Sequence, residues 1–195
     1  MIADLLTLLR DVVNAHLRAS TGASEEAGEH GLVVFPGSDK TEYLDCKLGA
    51  VTLLLINLEQ EHSNRPADPH RVVRSDGSVM RVAPPLYLNL HVLFVARLRD
   101  YQQSLLYLSQ IVRLFQTQRV LSHDKTPALQ AQVESLTVEL QTPSLADLNQ
   151  LWSMLRCAYQ PSLLYRLRMV AYTDEDALAA IGPGPELNLN TRSLR

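Results

Sequence analysis

The side chains best suited to metal binding lie in one polar stretch near the middle of the chain. His62 and His70 share this stretch with Glu59, Glu61 and Asp68, and imidazole and carboxylate groups are common ligands of Zn²⁺. Their spacing is irregular and does not match a zinc motif such as H-E-x-x-H. The stretch is therefore a candidate for metal chemistry that no recognised motif supports.

Cysteine and paired carboxylates provide two further candidates. Cys46 follows Asp45, but no histidine is marked in sequence as the base that a thiol nucleophile needs. Glu59 and Glu61 would share one side of a strand end, although acid–base catalysis also requires a pocket around such a pair. Cys46 and Cys157 lie far apart and form no C-x-x-C pair, so we expect two free, buried thiols.

Basic residues are scattered along the sequence, and no aromatic residues alternate with them in the way that favours base stacking. Isolated surface positions would explain these residues, and pairing with acidic groups across an interface is the alternative. They are Arg113, Arg119, Arg156, Arg166 and Arg168.

Motifs and composition exclude several classes of function. The sequence contains neither of the glycine-rich phosphate loops, G-x-x-x-x-G-K-[ST] or G-x-G-x-x-G, and no G-x-S-x-G elbow, so we expect no cofactor. A net charge of −3 argues against a nucleic-acid partner, which requires neutralised phosphates. No run approaches the roughly 20 apolar residues of a membrane span, and the N-terminus does not resemble a secretory signal. We therefore expect no membrane insertion and folding in the cytoplasm.

Three segments have the apolar repeat of a helix. Residues 2–18 form the first, and His16 lies inside its apolar stripe, where we interpret it as a packed histidine at a core edge or subunit contact. The second runs from about Asp100, an N-cap residue type, to Thr117. The third begins at Ser144, in a sequence that resembles a capping box.

The second helix has more apolar residues than one stripe accommodates. Leu106 and Leu114 fall outside the predicted stripe, so they are either simply exposed or contact a neighbouring subunit. The predicted stripe consists of Tyr101, Leu105, Leu108, Ile111, Val112 and Phe115.

Strand-like runs separate the helices. Val51 to Glu59 is apolar on both faces, which predicts a strand covered on both sides, and residues 71–82 resemble an exposed β-ribbon with a tight turn at Asp76-Gly77. The fold class is therefore α/β or α+β, with a mixed β-sheet and about three helices packed on it. Further strands are predicted at residues 31–35, 86–95, 133–141 and 163–172.

The chain divides at about residue 172. Residues 1–172 form the predicted domain, and residues 173–195 begin with an acidic run and continue through Gly-Pro repeats that exclude regular structure. A short alternating segment then follows, either as a frayed tail or as an arm that adds a strand to another subunit's sheet. That segment is Glu186, Leu187, Asn188, Leu189 and Asn190.

Two paired blocks of sequence carry a family resemblance. Pro84–Phe94 runs into Tyr101–Gln116, and Leu136–Leu140 is followed by Leu148–Leu155 and Tyr159–Arg168. Together with the N-terminal helix and the run Leu-Ile-Asn-Leu-Glu-Gln-Glu, they resemble the cap, or tail-terminator, family of extracellular contractile injection systems. These systems are phage-tail-like particles, and the resemblance covers about residues 1–172.

The resemblance implies a structural, non-enzymatic protein with a tail-terminator-like fold. Such a protein would form a ring, a homohexamer, on the distal end of the inner tube and contractile sheath and stop their growth. Its partners would be other copies of itself and the sheath and tube proteins, and no catalytic residue, cofactor or metal is carried over. It would assemble in the bacterial cytoplasm as part of the injection particle, and could be released with that particle.

Two alternatives stay open. The chain could be another tube or baseplate component of the same kind of particle. It could instead be a small-molecule-binding or hydrolytic α/β domain that uses the His62–His70 loop or Cys46. In the ring that the resemblance implies, the candidate contact surfaces are Leu106, Leu114, the 71–82 ribbon and the arm at residues 186–190.

Overall fold

A computed structural model describes residues 2–22, 31–37, 45–61, 71–73, 79–81, 86–122 and 135–172. Three helices and eight strands occur in these residues. In chain order they are α1 (Ile2–Thr21), β1 (Val33–Val34), β2 (Ala50–Gln60), β3 (Arg71–Val73), β4 (Val79–Arg81), β5 (Leu86–Arg97), α2 (Tyr101–Thr117), β6 (Val120–Ser122), β7 (Ser135–Gln141), α3 (Leu145–Met154) and β8 (Ser162–Tyr172).

Six strands form one mixed sheet in the order β1-β2-β5-β8-β7-β6. Only the β1–β2 pair is parallel, and the other four pairs are antiparallel. This confirms the predicted mixed sheet with three helices. The β6 strand was not predicted, because its three residues are too few to show a repeat.

Helices lie on both faces of the sheet. The larger core lies between the sheet and α1 and α2, where Phe94, Phe115 and Tyr165 make tilted and edge-to-face ring contacts with centroids 5.0–6.1 Å apart. The smaller core lies on the opposite face, where Trp152 of α3 packs among side chains of β2 and β5. The prediction that β2 is covered on both faces is therefore confirmed.

The β2 strand changes register near its end. A bulge between Leu55 and Asn57 shifts the pairing with β5, so that Leu58 stands opposite Leu90 rather than continuing the face of Leu54. Strict alternation would place Leu58 on the face of Leu54, but the extra residue of the bulge reverses the alternation beyond it.

Both predicted helix starts are confirmed. The Asp100 carboxylate accepts a hydrogen bond from the Gln102 N–H at 3.1 Å. At α3, Ser144 and Asp147 form a reciprocal capping box. Each cap satisfies N–H groups that a helix leaves without partners in its first turn.

The buried face of α2 is rotated about the helix axis by about a fifth of a turn from the predicted apolar stripe, so that prediction is wrong. Tyr101 and Leu105 are exposed, whereas the buried face includes Ser104 and Leu114. Ser104 is accommodated because its hydroxyl accepts from the Leu98 N–H at 3.2 Å and donates to the Asp100 carbonyl at 3.2 Å. A polar residue that satisfies its own hydrogen bonds can occupy a core position that hydropathy would assign to a leucine.

A side chain of α1 closes the outer edge of β1. Asn14 Oδ1 accepts from the Val33 N–H at 2.8 Å, and Asn14 Nδ2 donates to the Val33 carbonyl at 3.1 Å. The amide thus replaces a neighbouring strand at this edge, which otherwise would present unpaired backbone groups. Gly31 has φ +81°, and an added Cβ would lie 3.2 Å from Asn14 Oδ1, so glycine is required beside this contact.

Replacing Asn14 with alanine is expected to lower the free energy of unfolding by about 1–2 kcal/mol, since two partly buried hydrogen bonds are lost. Urea denaturation measures the loss. Asp11→Ala on the exposed side of the same helix is the control, and its effect should be much smaller. An equal loss in both variants would contradict a specific role for the amide.

Candidate functional site

The densest group of charged side chains lies on the sheet face that carries α3. Glu139 of β7 is bound by three guanidinium groups at its two carboxylate oxygens. Arg166 contacts Oε2 at 2.9 Å, and Arg119 and Arg168 contact Oε1 at 3.1 Å and 3.3 Å. We call these four residues the Glu139 cluster.

Strand pairing creates this cluster. Glu139 stands directly opposite Arg166, and Thr137 opposite Arg168. Arg119 joins them because its carbonyl accepts the Val138 N–H at 2.8 Å, which places it beside β7. Three arginines expected to be scattered are therefore together, and the prediction of isolated surface positions is wrong for them.

The polar surface continues across the sheet to β2. Glu59 Oε2 lies 3.2 Å from His91 Nε2, and Asn89 Nδ2 donates to Glu61 Oε2 at 2.9 Å. Glu61 also lies 3.9 Å from Arg168, which joins the two groups. The two glutamates share one side of the strand end, as expected, but each has its own partner instead of forming a catalytic pair.

The arginines keep Glu139 ionised. Its pKa is lowered chiefly by the hydrogen bond from Arg166; burial opposes this effect, and the hydrogen bonds from Arg119 and Arg168 add to it. A carboxyl group held in this way does not donate or accept protons near neutral pH. The cluster is thus suited to binding charged groups rather than to acid–base catalysis. No group of three or more His, Cys, Asp or Glu side chains in the described ranges is placed to hold a metal ion.

The fold brings the two cysteines to one cavity. Cys46 and Cys157 line a cavity of about 210 Å³ together with Arg97 and Arg156, and Arg97 donates to the Cys46 carbonyl at 2.8 Å. Both thiols are free, and Cys46 is buried whereas Cys157 is partly exposed. Burial, aided by the nearby Cys157, raises the pKa of Cys46 to about 11.

The raised pKa predicts an inert Cys46 thiol. Because the thiolate is the nucleophile, Cys46 in the folded protein should react with Ellman's reagent at pH 8 roughly a hundredfold more slowly than free cysteine. Stopped-flow kinetics on Cys157→Ser measures this rate, and unfolding in urea should restore ordinary reactivity. A rapid reaction in the folded state would revive the thiol-nucleophile alternative.

The two leucines proposed as contact residues have different environments. Leu106 is 48% exposed and stays a candidate for an interface. Leu114 is 5% exposed and lies in the larger core, so its assignment to the free surface is corrected. Because α2 is rotated from the predicted orientation, Leu114 faces α1 and the sheet.

Other predicted features have different outcomes. The β3 and β4 strands pair antiparallel, with Val72 opposite Met80, which confirms the two strands of the ribbon, whereas the predicted turn at Asp76-Gly77 lies outside the described residues. His16 borders a groove between α1 and α2, and its Nε2 is buried without a hydrogen-bond partner. His62, His70 and the arm segment 186–190 lie outside the described residues.

Sequence reasoning missed Glu139 as the centre of the cluster. Alternation along each strand is enough to place Glu139 on the face of β7 opposite Leu136 and Val138, and Arg166 and Arg168 together on one face of β8, as the structure has them. The missing information was the pairing of β7 with β8, since the bonded residues are 27 and 29 positions apart. The sequence signal for such a pairing is weak: opposite charges fall at alternate positions of two strands, so that they could share one face of the sheet.

None of the described helices combines the length and apolarity needed to cross a membrane. The sequence profile of the Pvc16 N-terminal domain matches residues 4–183, and the chain belongs to that family. Curated protein sequences gave no significant match.

Solved structures share the fold. The sheath/tube terminator of the PVC extracellular contractile injection system, in its extended state, has a TM-score of 0.56 and 17% identity over 100% of this chain and 65% of that chain. The tube-terminating cap of the anti-feeding prophage has a TM-score of 0.52 and 15% identity over 95% of this chain and 60% of its own. This chain therefore spans less than two thirds of either relative. The predicted family and tail-terminator-like fold are confirmed.

Proposed function

We propose that this protein is a terminator cap, which binds the distal end of the inner tube and sheath of a contractile injection particle and ends their growth. The observation that carries the proposal is the family match over residues 4–183, together with a fold shared with a sheath/tube terminator along the whole of this chain. Both support a role at the end of the particle rather than at its base.

The cap acts as a ring of identical subunits, most simply a homohexamer. A head-to-tail contact gives a finite assembly only if its rotation closes, which is what the end of a tube requires. The ring contacts sheath and tube proteins, assembles in the bacterial cytoplasm and has no enzymatic activity. Leu106, which is exposed on α2, is one of its contact residues.

The segment Glu186–Asn190 serves as an arm that adds a strand to a neighbouring subunit or to the sheath. The acceptor edge is β2, because β1 pairs only with Val51 and Thr52, and no other described strand covers the outer side of β2 beyond them. Asn14 closes the competing edge of β1.

Deleting the gene and imaging the particles by electron microscopy tests the cap role. Loss of a terminator should give tails of irregular or excessive length with an organised base. Loss of a baseplate component should instead leave no organised base, and particles of normal length and capped ends would overturn the proposal. A small-molecule-binding or hydrolytic domain would leave the particles unchanged.

The arm is tested separately in the complemented strain. Leu187→Pro removes a backbone N–H and should prevent strand addition, so tails should again be irregular. Leu187→Val keeps both strand propensity and N–H and is the matched control. Normal tails with Leu187→Pro would reject the arm while leaving the cap role intact.

A further inference from the structure

Positive charge exceeds negative charge in the Glu139 cluster. Three guanidinium groups share the Glu139 carboxylate, and the next carboxylate, Glu61, lies 3.9 Å from Arg168. Glu61 also accepts a hydrogen bond from Asn89. Among the described residues of the cluster and its neighbour Glu61, two carboxylates thus face three arginines, whose side chains are 31–65% exposed to a further anion.

Hydrogen-bonding capacity on this face is incompletely used. Arg166 Nε and Arg168 Nε are both buried and have no hydrogen-bond acceptor. Asn89 Oδ1 is buried without a donor, and His91 Nε2 is buried and makes no hydrogen bond, although Glu59 Oε2 lies 3.2 Å away. Four of the eight such side-chain atoms among the described residues therefore lie on this one face. Buried polar atoms without partners are uncommon and costly. Their concentration here points to a partner that the described part of one chain does not supply.

The chemistry of the face selects carboxylates. Guanidinium groups donate paired N–H groups in a planar fork that matches a carboxylate. The chain itself contains a suitable ligand, since Asp174-Glu175-Asp176 begins two positions after Tyr172, the last residue of β8. We propose that this acidic segment of one subunit docks on the Glu139 cluster of the next, an inference that rests on the proposed ring.

The direction of β8 favours a second copy over the same chain. Arg168 precedes the strand end at Tyr172 by four residues, so the chain is about 13 Å farther along the strand when it leaves the sheet. The segment would have to reverse direction to reach its own cluster. A neighbour's segment can approach without that reversal, and the resulting contact is head-to-tail, as a ring requires.

Removing the charges of the segment is the first test. The triple substitution Asp174→Asn, Glu175→Gln, Asp176→Asn changes only residues that follow β8, so the folded domain should be unaffected. Its association constant, from analytical ultracentrifugation of the full chain, should fall at least tenfold at 0.1 M NaCl. The difference from wild type should shrink at 0.5 M NaCl because salt screens the contact.

A charge-swap experiment identifies the partner. One chain carries Arg168→Glu, and the other carries lysine at positions 174, 175 and 176. Each alone should associate weakly, because the acidic segment then meets a cluster with one arginine fewer and one carboxylate more, or a lysine segment meets three arginines. An equimolar mixture should recover association, since the two chains can alternate around a ring with an even number of subunits. Arg113→Glu, on the exposed side of α2, is the matched control and should leave association unchanged.

The outcomes separate this inference from the proposed function. If association recovers in a chain that carries both changes but not in the mixture of the two variants, the segment binds the cluster of its own chain, and the inference is overturned. Association that none of these substitutions alters would also overturn it while leaving the ring intact. A wild-type chain that neither self-associates nor caps particles would reject the ring itself. If circular dichroism shows that Arg168→Glu does not fold, the inference is decided by the triple substitution of Asp174, Glu175 and Asp176 alone.

Discussion

Leu114→Asp is expected to unfold the domain, with a loss of more than about 4 kcal/mol in the free energy of unfolding. Leu114 is 5% exposed and belongs to the core between the sheet and the two long helices. The substitution removes apolar contacts and places a carboxylate at a core position of α2. Circular dichroism and thermal melting of the purified variant measure the effect, and low soluble yield would accompany it.

Leu106→Asp on the same helix is the matched control. Its side chain is 48% exposed, so the charge stays hydrated and the melting temperature should change by only a few degrees. Any effect should be on association and on tail length in the complemented strain. A folded, stable Leu114→Asp variant that fails only in assembly would contradict the observed orientation of α2 and support the interface predicted from the sequence.

Leu106 and Leu114 show which features of the fold are determined by the local sequence. The stripe of α1 and the cap at Asp100 were predictable, because they depend on spacing within one element. The orientation of α2 depends on what it packs against. Phe94 and Tyr165 of the sheet contact Phe115, and this contact holds Leu114 inside and leaves Tyr101 outside.

The candidate site was less predictable than the fold. The Glu139 cluster depends on which strands become neighbours in the sheet, and the shared cavity of Cys46 and Cys157 depends on where the segment before β2 meets the end of α3. Each joins residues that periodicity within a segment cannot relate. The family resemblance could identify the architecture, but it carried over no interface residue, so the charged face emerged only from the strand order and register.

The second large effect is expected at the centre of this face. Glu139→Gln should lower the free energy of unfolding at pH 7 by about 2–3 kcal/mol, less than the 3–5 kcal/mol for breaking a fully buried ion pair. The Glu139 side chain is 15% exposed, whereas those of Arg166 and Arg168 are 31% and 37% exposed, so solvent compensates part of the loss. Three guanidinium groups would keep their positions but lose the anion that they share.

Glu59→Gln is the control for this prediction. Glu59 lies on the same face, but its side chain is 50% exposed, and its contacts with other described residues are His91 and Asn57. Its replacement should have a much smaller effect, as is usual for exposed pairs. Equal losses in the two variants would show that the cluster has no special contribution to stability.

The dependence on pH gives an independent check. The pKa of Glu139 in the folded protein is lowered below the value of about 4.3 that is usual for an unfolded chain. Its stabilising contribution is therefore fully present above the unfolded pKa and is lost as the pH falls through the lower folded pKa. Urea unfolding of wild type and Glu139→Gln should differ by a constant amount between pH 7 and about pH 5.5, and the two should converge progressively below about pH 4. A difference that persists undiminished to pH 2 would mean that packing, and not the shared charge, accounts for the effect.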